Sequence, residues 1–351
     1  MGLKYHIKKL LMLAAITKAK NERPFDLIAS ETFELPSDAD KHDLNDYYFS
    51  AHTLEGESIV LRKVLGGEGQ NEIWFIYHSQ NATYANKVTT FNNEEGPLSI
   101  ILIDPGKVWQ FTFKGLLNKM TIDETKLAHF TDEQISVEVS GQFTSENKVF
   151  DFKTQLDPEM YASALAKEKW NKSFKTGLKI NQQERVKQQG MINAKIKLGE
   201  QDINFKACAI RDHAYGRQDL DYVNRHIYLM TIIRKGELLN LSRISHSHVR
   251  NIITGYYEKD GRVEQITLRN NTASIPTLGT IPISFRYRVE LKNAIKIDVR
   301  TNVEVIIPYV LNEGKYVLFV GIASFDANKR LTRGIMEFGF HSDEERWQFQ
   351  E

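Results

Sequence analysis

The densest run of chemically capable side chains is Arg211-Asp212-His213-Ala214-Tyr215-Gly216-Arg217, which sets a carboxyl, an imidazole and a phenol between two guanidinium groups. Asp212 is a candidate acid, His213 its candidate proton relay and Tyr215 a candidate donor or aromatic wall. These side-chain types are the ones that move protons and polarise carbonyls. The same run suits a second reading. Arg211 or Arg217 would pair with Asp212 and Asp219 to hold a buried corner, and Gly216 would be there for its backbone freedom. Residue types alone leave both readings open.

Other candidates are scattered. Ser245-His246-Ser247-His248 puts two imidazoles on one face of a strand, and His226 would complete a three-histidine zinc set. No spacing ties a third ligand to that pair, so neither a metal nor an organic cofactor is expected. Tyr228, Met230 and Ile232 form a one-sided stripe, and in a β-barrel such positions serve core packing and ligand contact alike. Glu337 interrupts the apolar run Ile335-Met336-Glu337-Phe338 and shares a face with Ile335 and Gly339, so it points either into a barrel or into solvent. The single cysteine, Cys208, lies in the alternating stretch Ile203 to Cys208 and reads as a packed thiol.

The elements that must position these groups are strands. From about Tyr47 onward, β-branched and aromatic runs recur at short spacing: Ser58 to Val64, Glu72 to His78, Leu98 to Ile103 and Val108 to Lys114, separated by Gly-Gly-Glu-Gly, Asn-Asn-Glu-Glu-Gly and Asp-Pro-Gly. Gln134 to Phe143 and Lys148 to Lys153 read as one hairpin. At Asp157-Pro158-Glu159 the period changes to a helix through Trp170, with Asp as N-cap and Pro as first residue. Strands then resume from Arg185 to His341, with Lys259-Asp260-Gly261 as a hairpin turn. The expected organisation is an N-terminal helix and lead-in over 1–44, a first β-barrel domain over 45–156, a helical junction over 157–183 and a second β-barrel domain over 184–351. There is no βαβ alternation and no glycine-rich phosphate loop, which excludes dinucleotide and P-loop folds.

Composition narrows the partners. With 46 basic and 45 acidic residues the formal net charge is +1, so no field is available to hold a polyanion, and a nucleic-acid role is not expected. Hydrophobic residues make up 41% and charged residues 26% of the 351, the balance of a folded chain with real cores. The apolar run Leu10 to Ile16 is too short to span a bilayer and is followed by Lys18, Lys20 and Arg23, which favours an amphipathic helix covering part of the body over a secretory signal. A cytoplasmic protein is expected, with no integral membrane span and room for at most weak contact with a membrane surface.

Several strings in order carry a family resemblance. Glu184-Arg185-Val186-Lys187-Gln188-Gln189-Gly190 and then Arg211 to Arg217 resemble the "EQ-x-G" strand and "RDHSWG-x-R" segment of the carotenoid 1,2-hydratase (hydroxyneurosporene synthase)-like, or AttH-like, tandem-lipocalin superfamily. Pro105 to Gly115 resembles its first-domain "W-x-[IV]-x-F-x-G" strand, and Arg333 to Phe340 its closing strand, so the match covers residues 45 to 345. The resemblance implies two tandem lipocalin-like antiparallel β-barrels. It also implies a hydrophobic ligand of terpenoid, carotenoid or polyketide type, and the activities hydration, isomerisation and cyclisation, acid-assisted or pericyclic. On that basis Asp212, His213 and Tyr215 are the expected catalytic residues, with Trp109, Arg217, His226, Tyr228, His246 and Glu337 around the ligand. This chain departs from the pattern at Ala214, where the family has Ser, at Tyr215, where it has Trp, and at Leu220-Asp221-Tyr222, where a further Trp is absent. A non-catalytic carrier or interaction module fits the same fold.

Overall fold

The alternating segments build two rings of antiparallel strands in a computed structural model that describes residues 2–22, 24–91, 96–180, 183–267 and 281–346. Asn92 to Glu95 of one expected turn, Asn181 and Gln182 of the expected junction, and Leu268 and Arg269 of one expected strand lie outside these residues. In chain order the first strands are β1 (Asp43–His52), β2 (Ser58–Gly66), β3 (Asn71–His78), β4 (Thr83–Ala85), β5 (Thr89–Phe91), β6 (Leu98–Asp104), β7 (Val108–Ile122), β8 (Ala128–Thr144) and β9 (Phe150–Asp151). After a helical excursion come β10 (Glu184–Leu198) and β11 (Gln201–Arg217). The remainder are β12 (Val223–Arg234), β13 (Glu237–His246), β14 (Val249–Lys259), β15 (Arg262–Thr267), β16 (Ser284–Leu291), β17 (Lys296–Leu311), β18 (Tyr316–Ala327) and β19 (Arg330–His341).

Strand pairing does not follow the boundary expected from sequence. The first ring runs β1-β2-β3-β4-β7-β8-β10-β11, and β11 pairs back onto β1 from Asp43↔Arg217 to His52↔Cys208. Residues 184–217 therefore complete the first ring and do not open the second, which consists of β12 to β19 in sequence order, with β19 returning to β12. The reason is closure. The strands before residue 157 leave β8 and β1 as free edges, and β10 and β11 satisfy both. The expected hairpin between Gln134 to Phe143 and Lys148 to Lys153 also fails, because β9 pairs with β10 through Val186↔Asp151, and Lys153 lies in a helix. The Arg211 to Arg217 segment is not a corner either. It continues β11, bonded to β1 on one side and to β10 on the other.

The helices are α1 (Leu3–Glu22), α2 (Leu27–Glu31), α3 (Phe152–Gln155), α4 (Pro158–Lys167) and α5 (Lys172–Ile180). The start of α4 is as its sequence dictates: Asp157 accepts from Glu159 N at 3.0 Å and Pro158 occupies the first turn. Met12 and Ile16 of α1 pack on Leu165 of α4 and on Ile252 of β14, so the N-terminal helix covers the body through its apolar side. No helix among the described residues is long and apolar enough to cross a membrane.

Each ring fills its own lumen. Phe49, Phe75, Phe111, Phe113 and Phe143 occupy the first, and Leu239, Tyr257, Tyr287, Val299 and Phe325 the second. A third cluster joins the rings: Tyr48, Val60, Trp74 and Ile76 from the first pack against Met230, Tyr256, Tyr309 and Ile335 from the second. Strand alternation explains the assignment, since Tyr47, Phe49 and Ala51 of β1 face the lumen while Asp46, Tyr48 and Ser50 face the seam between the rings.

One end of the first ring is plugged by α2. Asp26 caps that helix by accepting from Ala29 N at 3.0 Å, which sends Glu31 into the lumen. There Glu31 accepts from Arg211 Nη2 at 2.5 Å and from Trp109 Nε1 at 3.0 Å, with the Arg211 guanidinium 5.2 Å from the Trp109 ring centroid. Removing one partner of so buried a pair strands the other charge. Glu31→Ala is expected to lower unfolding free energy by about 3–5 kcal/mol in urea titrations followed by tryptophan fluorescence. The double replacement Glu31→Met with Arg211→Met should recover most of that loss.

Candidate active site at the seam between the rings

Alternation splits the Asp212-His213 pair. Arg211, His213 and Tyr215 face the first lumen, whereas Asp212, like Ile210, faces the seam. His213 therefore cannot relay a proton to its neighbour. It stacks on Tyr47 with centroids 4.5 Å apart and joins Asn45 Oδ1 at 2.7 Å. The Asn45 amide group donates to Phe33 O and to Tyr47 Oη, so its Oδ1 accepts and His213 Nε2 carries the proton. Burial, helped by Arg211, pushes the His213 pKa down to about 3, so the ring is neutral. Tyr215 donates to Glu184 Oε2 at 3.1 Å and lies 4.7 Å from the Phe33 ring, with its pKa raised by burial to about 12. Gly216 takes φ +92°, the left-handed geometry anticipated for it.

Four of the nine expected residues come together. Asp212, His226, Tyr228 and Glu337 line a cavity of about 170 Å³ between the rings, with Tyr48, Arg62 and Tyr316. Trp109 is held in the first lumen by Glu31, and Arg217 pairs with Asp40 at 2.7 Å on the surface. His246 stacks on His248 at 5.5 Å. Among the described residues no three His, Cys, Asp or Glu side chains gather as metal ligands would.

The cavity is ionic on one wall. Asp212 meets Lys187 Nζ at 3.1 Å and Arg185 Nε at 3.5 Å, and Lys187 also donates to Asn240 Oδ1 at 3.0 Å. Both cations lie over the Tyr228 ring, at 5.1 and 5.4 Å from its centroid. Arg62 binds Asp46 in a fork of 2.7 and 2.6 Å and stacks 4.4 Å from Trp74. Across the cavity His226 Nδ1 and Tyr316 Oη approach to 2.6 Å. A Cβ at Gly339 would run into both groups, which is why the closing strand carries glycine there.

These surroundings drive two carboxyls apart. Burial raises the Glu337 pKa, and the opposing pull of Arg62 and Lys187 does not cancel it, so Glu337 keeps its proton to higher pH than an ordinary glutamate. Asp212 is buried as deeply, but Arg185 and Lys187 more than offset desolvation and hold it ionised, below the usual carboxylate range. His226 is pushed to about 3 by burial and by Arg185 and Arg62. The two carboxyls are thus shifted in opposite directions, Asp212 downward and Glu337 upward. Asp212 Oδ1, His226 Nε2 and Tyr48 Oη have no hydrogen-bond partner among the described residues. Tyr48 lies near enough to bias Glu337 electrostatically but without hydrogen-bond geometry.

Sequence reasoning missed Tyr48, Arg62, Arg185, Lys187 and Tyr316. A usable signal existed for Arg62, which shares a strand face with Val60 and Val64, where charge needs a partner; Lys187, between Arg185 and Gln189 on its face, offered none.

The chain's relatives bear on the fold. Residues 68–292 match the family described as "Family of unknown function (DUF8627)". No curated protein matches the sequence. Among solved structures, an AttH-like protein of Nitrosomonas europaea is similar at 10% identity, with 87% of this chain and 96% of that one covered and a TM-score of 0.50. CghA with Sch210972 aligns at 7% identity over 85% and 88% of the two chains, with a TM-score of 0.51. Kievitone hydratase from Nectria haematococca aligns at 7% identity over 92% and 94%, with a TM-score of 0.53. At such identities the likeness carries the fold alone, and the two-ring architecture is shared with these structures.

Two measurements check this geometry. The stability gained by keeping His213 neutral is complete above its unfolded value near 6.5 and is lost as pH falls toward 3, because only the unfolded chain takes up the proton. His213→Gln, which can still donate to Asn45, should flatten the fall in unfolding free energy between pH 6.5 and 5 by up to about 1.4 kcal/mol per pH unit. Gly339→Ala should displace His226 from Tyr316 and cost about 1–3 kcal/mol in the same titration.

Proposed function

The chain belongs to that family of unknown function, and we propose that it is an enzyme that adds water to, or cyclises, a hydrophobic isoprenoid- or polyketide-like molecule at a double bond conjugated to a carbonyl. The observation that carries this reading is the pair of buried carboxyls facing one cavity, with the pKa of Glu337 raised by burial and that of Asp212 lowered by Arg185 and Lys187. Carboxyls with pKa values pushed apart in one site are the usual arrangement for separate acid and anion roles.

The charges decide between two mechanisms. In this reading Glu337 carries its proton, Arg62, Arg185 and Lys187 stand beside Asp46, Asp212 and Glu72, and the Tyr228 ring is already covered by two cations. A carbocation formed beside Tyr228 would meet these cations and an aromatic face already taken. Negative charge developing on a carbonyl oxygen would be stabilised. In the proposed hydration Glu337 gives its proton to the carbonyl oxygen while a water, oriented by Asp212 Oδ1 and His226 Nε2, bonds through its oxygen to the β-carbon. The excess proton on that oxygen returns to Glu337, and the enol collapses to the carbonyl with its proton transferred to the α-carbon. The net change is addition of one water. A cyclisation would use the same polarised carbonyl with no water admitted.

A volume of about 170 Å³ suits the reacting end of such a molecule, since a cavity near 150 Å³ accommodates benzene. The name of the similar kievitone hydratase supports the reaction class. The test is incubation of the purified protein with conjugated isoprenoid and polyketide carbonyl compounds, followed by mass spectrometry. The expected products are heavier by one water or are isomers of the starting compound. Glu337→Gln should reduce turnover by about 10²–10⁴-fold while leaving retention of the compound intact. Turnover unchanged in Glu337→Gln would overturn the acid assignment. Retention of compounds without turnover by either protein would favour a carrier.

A further inference from the structure

The seam holds a second cavity, of about 280 Å³, farther along the same strands β1, β11, β12 and β19. Tyr48, Asp212, Tyr228 and Glu337 line the first cavity, and Ser50, Ile210, Ile232 and Arg333 on the same strands line the second. The chemistry changes along the way. Ile210, Ile232, Leu54 and Leu331 make aliphatic walls where the first cavity is ionic.

Two polar atoms on one face of β1 have no hydrogen-bond partner among the described residues: Ser50 Oγ, on a residue 1% exposed, and His52 Nε2. Buried polar atoms are nearly always paired, so these mark where an oxygen of an occupant would sit. His52 Nδ1 is already engaged with Ser58 Oγ at 2.8 Å, which leaves Nε2 as its working atom. The site is not built for an anion. The charge of Arg333 is met by Glu304 at 3.0 Å, although its Nη1 makes no hydrogen bond among the described residues, and that of Arg234 by Glu237 at 2.6 Å, while Lys235 stands exposed at the rim. Burial and Arg333 push His52 to about 3, so it adds no charge.

We propose that this cavity binds a neutral, mainly aliphatic molecule bearing one hydroxyl or carbonyl oxygen, seated with that oxygen at Ser50 and His52. The volume suits a chain of about eight carbons, being nearly twice that of a cavity that accommodates benzene. The site does not depend on the reaction proposed for the first cavity.

Cys208 reports occupancy. It lines the cavity directly across from His52 in the β1–β11 register and is the chain's one cysteine. Alkylation of the intact protein by iodoacetamide, followed by mass spectrometry, is compared with 1-octanol, with octanoate and with neither. At twice its Kd, 1-octanol should slow alkylation about threefold, and octanoate should protect less at equal concentration. Ser50→Ala should weaken protection by 1-octanol without changing the rate in its absence. Octanoate protecting as well as 1-octanol would overturn the neutral-ligand assignment, and absence of protection by either would overturn the site. Protection undiminished in Ser50→Ala would overturn the seat of the oxygen.

Discussion

A strand wall has two faces, and in β1, from Val186 to Gln189 of β10 and from Ala209 to Tyr215 of β11 both are largely buried. One face closes the aromatic lumen of the first ring, and the other meets the second ring across the seam. Along these stretches neither face has water as its neighbour, so a polar residue there depends on a protein partner, or on an occupant of the seam, on the side where alternation places it. Arg211 finds Glu31, His213 finds Asn45, and Asp212 finds Arg185 and Lys187. The charged residues are distributed by this one geometric rule, and the site follows from it.

The seam differs from an ordinary interface between β-sheets in the balance of its charges. Apolar contacts such as Trp74 on Tyr309, 4.9 Å apart, and Phe150 on Tyr256, 3.8 Å apart, hold the rings together. Among them sit Arg62, Arg185 and Lys187 with Asp46, Glu72, Asp212 and Glu337, an arrangement that burial makes costly unless each charge is paired. Asp46 and Asp212 are paired, and burial raises the pKa of Glu337, which lowers the cost by favouring its proton. A neutral acid beside fixed cations is poised to serve an oxygen that becomes negative. The lumens, packed with aromatic and branched side chains, are cores, whereas a lipocalin-like fold would suggest them as ligand chambers.

Much of this was legible in the sequence. Period-two alternation announced a strand-built chain, Asp157-Pro158 announced α4, and Asp260-Gly261 a hairpin with φ +49° and +75°. The ordered motifs pointed to the tandem-lipocalin fold before any pairing was known. Asp212, Tyr228, His226 and Glu337 were singled out and do meet. Local patterns determine such features because they depend on neighbours within a few residues.

Three decisions belonged to tertiary structure. The first was which ring β10 and β11 join, because the free edges they satisfy, on β1 and β8, lie far away in the chain. The second was which face of β11 met the seam, which separated Asp212 from His213 although they are adjacent in sequence. The third was which way each carboxyl is shifted. Asp212 and Glu337 are alike as residue types, and only the positions of Arg185 and Lys187, brought beside Asp212 by the pairing of β10 with β11, lower the pKa of one while burial raises that of the other. Alternation is written in the sequence, but the surroundings of each face are set by strands that arrive from elsewhere in the chain.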